Sequence, residues 1–189
     1  MGHVFERELK GILQADPDML ARVTKTCSEQ ERRDYHRICE RPFMVIRAAG
    51  SLGMDLVAIT WKVSFPIEVK SSTNAVLRFS RSEKLAQQAQ QAIDDCVRAG
   101  LVPLYAFRLK GKRGDSWRVF SLNIGSKREQ YAGFQKCVYD QLPKIAPSKD
   151  GNLIMRWEEG MPLSKFIDYL ATMSTPTARP EEPWPGLKS

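Results

Sequence analysis

Cysteine and histidine are scarce in this chain: four cysteines and two histidines in 189 residues, with no CxxC pair. A structural zinc site needs Cys or His ligands clustered at short spacings, and an iron–sulfur cluster needs grouped thiolates, so the spacing argues against both. Cys27, Cys39, Cys96 and Cys137 therefore read as reduced thiols of an intracellular protein. Long apolar runs are also missing. Nothing approaches the roughly 18 residues that cross a bilayer, so no membrane partner is expected. The N-terminus has no basic segment leading into an apolar run, which argues against a secretory signal. These deficits imply a soluble, cytoplasmic protein. The 42% hydrophobic content still suffices to build a core. The formal net charge of +7 favours a polyanion as partner, because cations set on phosphates release condensed counterions.

Residues 2–14 read as a helix, with Val4, Phe5, Leu9, Ile12 and Leu13 at helical spacing. Asp16-Pro17-Asp18 breaks it. A polar, mixed-charge helical segment follows over 18–40 and ends at Arg41-Pro42. Phe43–Ala48 is extended, Gly50-Ser51-Leu52-Gly53 is a turn, and Asp55–Thr60 and Ser64–Val69 resemble paired strands joined near Trp61-Lys62. A long helix over 81–99 ends at Gly100, the C′ glycine. Leu101–Leu109 is a strand whose Pro103 suits an edge best. A basic turn precedes a strand over Trp117–Leu122, and helices are expected over 128–142 and 162–173. From Ser174 the chain is proline-rich and reads as a disordered tail. The order of helix, strands, helix, strand, strand gives an α/β fold with a mixed central sheet flanked by helices.

Side chains alternate along a strand, so Glu68 and Lys70 share one face and Ile67 and Val69 the other. If the two strands form an antiparallel hairpin, Asp55 arrives beside the Glu68–Lys70 end. Two carboxylates and an ammonium among apolar strand residues are costly unless paired or metal-bound. They offer hard oxygen ligands for Mg²⁺, which would generate an attacking hydroxide and neutralise charge growing on a phosphate. Lys70 could orient the water or stabilise the phosphate. The plain alternative is an exposed cross-strand ion pair.

Arg47-Ala-Ala-Gly-Ser-Leu-Gly-Met-Asp-Leu-Val-Ala, followed by Ile67-Glu-Val-Lys-Ser, resembles the active-site core of archaeal-type Holliday junction resolvases, which belong to the PD-(D/E)XK nuclease superfamily. Phe5-Glu6-Arg7-Glu8-Leu9 is similar to that family's first helix, and Arg98-Ala-Gly, Val102-Pro-Leu-Tyr-Ala-Phe and Trp117-Arg-Val-Phe follow in matching order. The resemblance covers roughly residues 2–14 and 43–122. It implies a restriction-endonuclease-like core over 1–144 and catalytic residues Asp55, Glu68, Lys70, Glu6 and Ser51. Glu6, Asp55 and Glu68 would hold Mg²⁺, with Mn²⁺ able to substitute. Helical geometry separates Glu6 and Glu8 by about 200°, so only one is expected to face the sheet; the motif favours Glu6. Ser51 would lie near the scissile phosphate, or simply satisfy its turn. Gln88 would point into the site, or be a solvated helix residue. Met54 stands where the family places proline. Two further departures are an insertion over 16–42 and a C-terminal extension over 145–173, before the tail at 174–189.

The resemblance further implies a homodimer acting on four-way DNA junctions by metal-dependent phosphodiester hydrolysis, without a small-molecule cofactor. A two-fold protein would mirror a near two-fold substrate. Arg7, Lys10, Arg47, Lys62, Arg78, Arg81, Lys84, Lys110, Lys112 and Arg113 are candidate phosphate contacts, which position DNA without reading its sequence. Two other readings stand beside this one: another PD-(D/E)XK nuclease, restriction-like or exonuclease-like, and a non-catalytic DNA-binding module. The apolar residues of Leu101–Phe107 and Trp117–Phe120 suit core better than interface.

Overall fold

A computed structural model of the chain describes residues 3–48, 54–78, 83–147 and 153–173. The first helix, α1 (His3–Leu13), buries Leu9, Ile12 and Leu13. The single helical segment expected over 18–40 is divided. Asp16 caps α2 (Pro17–Val23) by accepting a hydrogen bond from the Met19 N–H at 2.8 Å, with Pro17 in the first turn. After a turn, Ser28 starts α3 (Glu29–His36) with a capping box: its Oγ accepts from the Glu31 N–H, and the Glu31 carboxylate accepts from the Ser28 N–H. A 3₁₀ turn over Arg37–Glu40 completes the segment. The Ser-x-x-Glu signature is the physical reason for the break.

The expected mixed sheet is present. Its strands are β1 (Met44–Arg47), β2 (Leu56–Ile59), β3 (Ser64–Ser72), β4 (Val76–Arg78), β5 (Leu104–Leu109), β6 (Trp117–Leu122), β7 (Lys144–Pro147), β8 (Leu153–Arg156) and β9 (Met161–Pro162). Their order is β1-β2-β3-β5-β6-β7-β8-β4, with β9 also paired to β6. β1, β2 and β3 are antiparallel neighbours, whereas β5 runs parallel to β3 after the crossover helix α4 (Glu83–Arg98). Gly100 takes the left-handed conformation expected of it, φ 68°, and the Leu101 N–H closes the helix end onto the Cys96 carbonyl.

Two prolines test this register. Pro103 was expected to favour an edge strand, yet β5 is interior; the proline stands just before the strand, outside its ladder. Pro66 lies inside β3. The Ile67 carbonyl points to the β2 side, where it accepts from the Asp55 N–H, so alternation turns Pro66's nitrogen to the opposite edge. There, pairing with β5 begins only at Ile67, and no ladder bond is lost.

One face of the sheet carries Leu56, Ala58, Phe65, Ile67, Leu104, Ala106, Trp117 and Val119 into the main core beneath α1 and α6 (Leu163–Met173). The other face of β5 and β6 carries Tyr105, Phe107, Phe120 and Leu122 against Ile145, Met155 and Trp157. The apolar residues of β5 and β6 are thus core, as expected. Residues 145–173 contribute strands to this sheet and a helix to its main core. The helix expected over 128–142 is shorter: a 3₁₀ turn at Gly125–Gln130 precedes α5 (Gly133–Gln141).

Buried Asp115 ties the insertion to the C-terminal helix. Its Oδ1 accepts from the Tyr35 hydroxyl at 2.7 Å and the Trp117 N–H at 3.1 Å, and its Oδ2 from the Ser164 N–H at 2.9 Å. Lys165–Asp34 at 2.7 Å and Arg37–Asp168 at 2.6 Å add ion pairs between the same two segments. Tyr35→Phe removes one donor to a buried carboxylate, at a cost of about 1.5–3 kcal/mol. At roughly 2–4 °C per kcal/mol, calorimetry should show the melting temperature fall by several degrees.

Candidate active site

Asp55 sits one residue before β2. Its N–H donates to the Ile67 carbonyl at 3.0 Å, although Ile67 is already the register partner of Leu56. Two successive residues thus oppose one, as in a bulge, which re-aims a side chain. The Asp55 carbonyl accepts from the Ala48 N–H at 3.0 Å, and its Oδ2 accepts from the Val69 N–H at 2.7 Å. Met54, where the resembling family has proline, is buried with Cys96 and Leu101 and anchors this approach to the end of α4.

The Val69 N–H bond sets the Asp55 carboxylate against the stretch of β3 that carries Glu68 and Lys70. Those two side chains share one face of β3 and form an ion pair. Burial pushes the Glu68 carboxyl up; Lys70 works against this, and the neighbouring Asp55 carboxylate adds to it, leaving a net rise. Tyr105, opposite Glu68 in the parallel β3–β5 register, is buried beside it. Its phenol is pushed upward by burial and by the Glu68 charge. Tyr105 escaped sequence reasoning: alternation gives its face of β5, but not its partner on β3.

Two carboxylates interacting in a half-buried patch repel each other, and a hard divalent cation is the group that would relieve this. Among the described residues, no three or more acidic, His or Cys side chains form a metal-holding group. The donor set fits a cation held by Asp55 and Glu68 with water completing its shell, the mode Mg²⁺ favours.

Glu6 and Glu8 are both buried, contrary to the expectation that only one would face the sheet. They flank the Leu9–Ile12–Leu13 stripe on opposite sides of α1. Glu6 accepts from Arg47 at 2.7 Å and contacts His3, and these partners hold its carboxyl below the usual range despite burial. Glu8 accepts from Arg108 at 2.8 Å and from the Trp117 indole at 2.9 Å, which fixes it to β5 and β6. The structure does not group Glu6 with Asp55 and Glu68.

The candidate DNA contacts are dispersed. Arg7 donates to the His3 carbonyl, Arg47 is engaged by Glu6, and Lys10 is half-buried. The Lys110 N–H donates to the Ser72 carbonyl at 2.8 Å, which sets the Lys110–Arg113 turn two residues beyond Lys70. Lys112 lies over the Trp157 ring, Arg113 is exposed, and Arg78 is exposed on β4. Lys84 and Gln88 belong to α4, but their side chains lie outside the description. Ser51, Arg81, the Gly50–Gly53 turn and the tail at 174–189 fall outside the described residues. No described helix is long and apolar enough to cross a membrane.

No protein-family model matches the chain, and no curated protein does. Among solved structures, Archaeoglobus fulgidus Hjc, a Holliday junction resolvase from an archaeal hyperthermophile, is similar at 20% identity and a TM-score of 0.45. That match covers 74% of this chain and 96% of that one.

The Glu68 shift has a definite sign. A carboxyl raised in the folded state contributes stability below its unfolded value of 4.5, and loses it as pH rises through the folded value. Glu68→Gln should therefore melt higher than the parent at neutral pH in EDTA, with the gap closing below about pH 4.5. A lower melting temperature at neutral pH would contradict the assignment.

Proposed function

We propose that this chain is a metal-dependent DNA endonuclease, and that its substrate is the four-way junction. The observation that carries the reading is the convergence of Asp55, Glu68 and Lys70 from two paired strands, in the sequence pattern that resembles the resolvase core. Asp55 and Glu68 would hold Mg²⁺, or Mn²⁺ in its place. When bound, the cation supplies an activated water and neutralises charge developing on the phosphate. Val69 orients Asp55 through its N–H, so the ligand geometry is set before DNA arrives. Lys70, held on the same face by Glu68, is placed to orient the attacking water or donate to a phosphate oxygen. Glu6 is read as a positioning residue: it fixes Arg47, one residue from the Ala48 N–H that supports Asp55. Ser51 is proposed beside the scissile phosphate.

The symmetric substrate calls for a homodimer. β1 is an edge strand, and Met44 and Ile46 are 58% and 50% exposed on the face they share with half-buried Val57 and Ile59. That apolar face is the proposed seat of a second copy. A second reading, another PD-(D/E)XK nuclease with different substrate choice, is favoured by the packing of α3 against α6, since the insertion and the extension form one joint feature.

In Mg²⁺ the purified protein should nick a four-way junction and spare linear duplex, and EDTA should abolish cutting. Sequence-dependent or end-dependent cutting would favour the second reading. Asp55→Asn and Glu68→Gln should each lose more activity than the roughly 10- to 100-fold typical of outer-shell changes, with junction binding retained. Ile46→Asp should shift light-scattering mass from dimer towards monomer.

A further inference from the structure

The turn between β2 and β3 lies at the opposite end of the hairpin from Asp55, and the catalytic reading does not use it. At roughly 3.3 Å per residue, β2 carries the chain about 17 Å from Asp55 to Thr60, about five nucleotide rises along a strand. At its tip Trp61 is 67% exposed, while Trp117 and Trp157 are fully buried. Two cations lie near the indole: the Arg41 guanidinium is 5.5 Å and the Lys62 ammonium 5.8 Å from the ring centroid. Lys62 donates to the Met173 carbonyl at 2.8 Å, a neutral partner. Among the described residues, no carboxylate forms an ion pair with Arg41 or Lys62.

The turn is braced. The Thr60 N–H donates to the Val63 carbonyl at 2.8 Å, and Thr60 Oγ1 accepts from the Lys62 and Val63 N–H groups. The backbone that carries the exposed indole is therefore already ordered, so little backbone entropy remains to be lost on contact. A groove beside it is lined by Arg41, Phe43, Thr60, Trp61, Ile167 and Leu170.

We infer that Trp61, with Arg41 and Lys62 beside it, is a second DNA-contact site that stacks an unpaired base while the cations hold its phosphates. An exposed indole with two cations near it, neither ion-paired to a carboxylate among the described residues, suits single-stranded DNA, where stacking tolerates any base. A junction opened at its branch point offers such bases, whereas a fully paired duplex does not. The inference rests on the DNA reading above, but its test reads binding and not cutting.

The test uses the full-length Asp55→Asn chain in EDTA, with fluorescein-labelled oligo-dT, a four-way junction and a linear duplex followed by anisotropy. Trp61→Ala should weaken oligo-dT and junction binding about tenfold, within the range for losing one stacked base, and leave duplex binding unchanged. Trp61→Phe should restore most of the affinity. Arg41→Ala should weaken oligo-dT and junction binding and lower their salt slope by about 1, with duplex binding unchanged. Equal oligo-dT affinity for the Trp61→Ala chain and its parent would overturn the inference. So would a loss of affinity accompanied by conversion to monomer, which would assign Trp61 to the protein interface. Failure of the parent to cleave in Mg²⁺ would defeat the nuclease reading and leave this binding result standing.

Discussion

The fold's chemistry depends on one hydrogen bond, from the Val69 N–H to the Asp55 carboxylate. It ties the approach to β2 onto β3 and sets Asp55 against the strand stretch that carries Glu68 and Lys70. The bulge at Asp55 makes the bond possible, because a regular strand would spend the Asp55 position on the ladder. Burial of Glu68 and the neighbouring Asp55 charge raise the Glu68 carboxyl, and a cation bound as proposed would relieve both. The buried Met54 and the Ala48–Asp55 backbone bond hold the arrangement from behind.

Much of this could be read from the sequence, because the informative features were local. Alternation along Phe65–Lys70 divided Glu68 and Lys70 from Ile67 and Val69, and helical spacing marked α1. The Gly100 cap was visible for the same reason. What escaped was long-range. No periodicity indicates that Asp115 would receive Tyr35, Trp117 and Ser164, or that Tyr105 would face Glu68. The two acids of α1 failed for a geometric reason: the buried stripe is wide enough that residues about 200° apart both reach its margins.

The segments that depart from the resembling family are physically coupled. The insertion supplies Tyr35, Asp34 and Arg37, the C-terminal helix supplies Ser164, Lys165 and Asp168, and Asp115 at the head of β6 joins them. Phe43, Phe65 and Phe166 continue that junction into the core at centroid distances of 6.1 and 5.7 Å. The joint feature lies on the α1 side of the sheet, across from Glu68. It braces the scaffold under the site without supplying a side chain to it.

The central claim is that Asp55 and Glu68 together bind one divalent cation. Titration of Mn²⁺ into the DNA-free chain, followed calorimetrically, tests it most directly. The account predicts one ion per chain in the parent and none in Asp55→Asn or Glu68→Gln. Binding that survives both substitutions, or no binding by the parent, would contradict it.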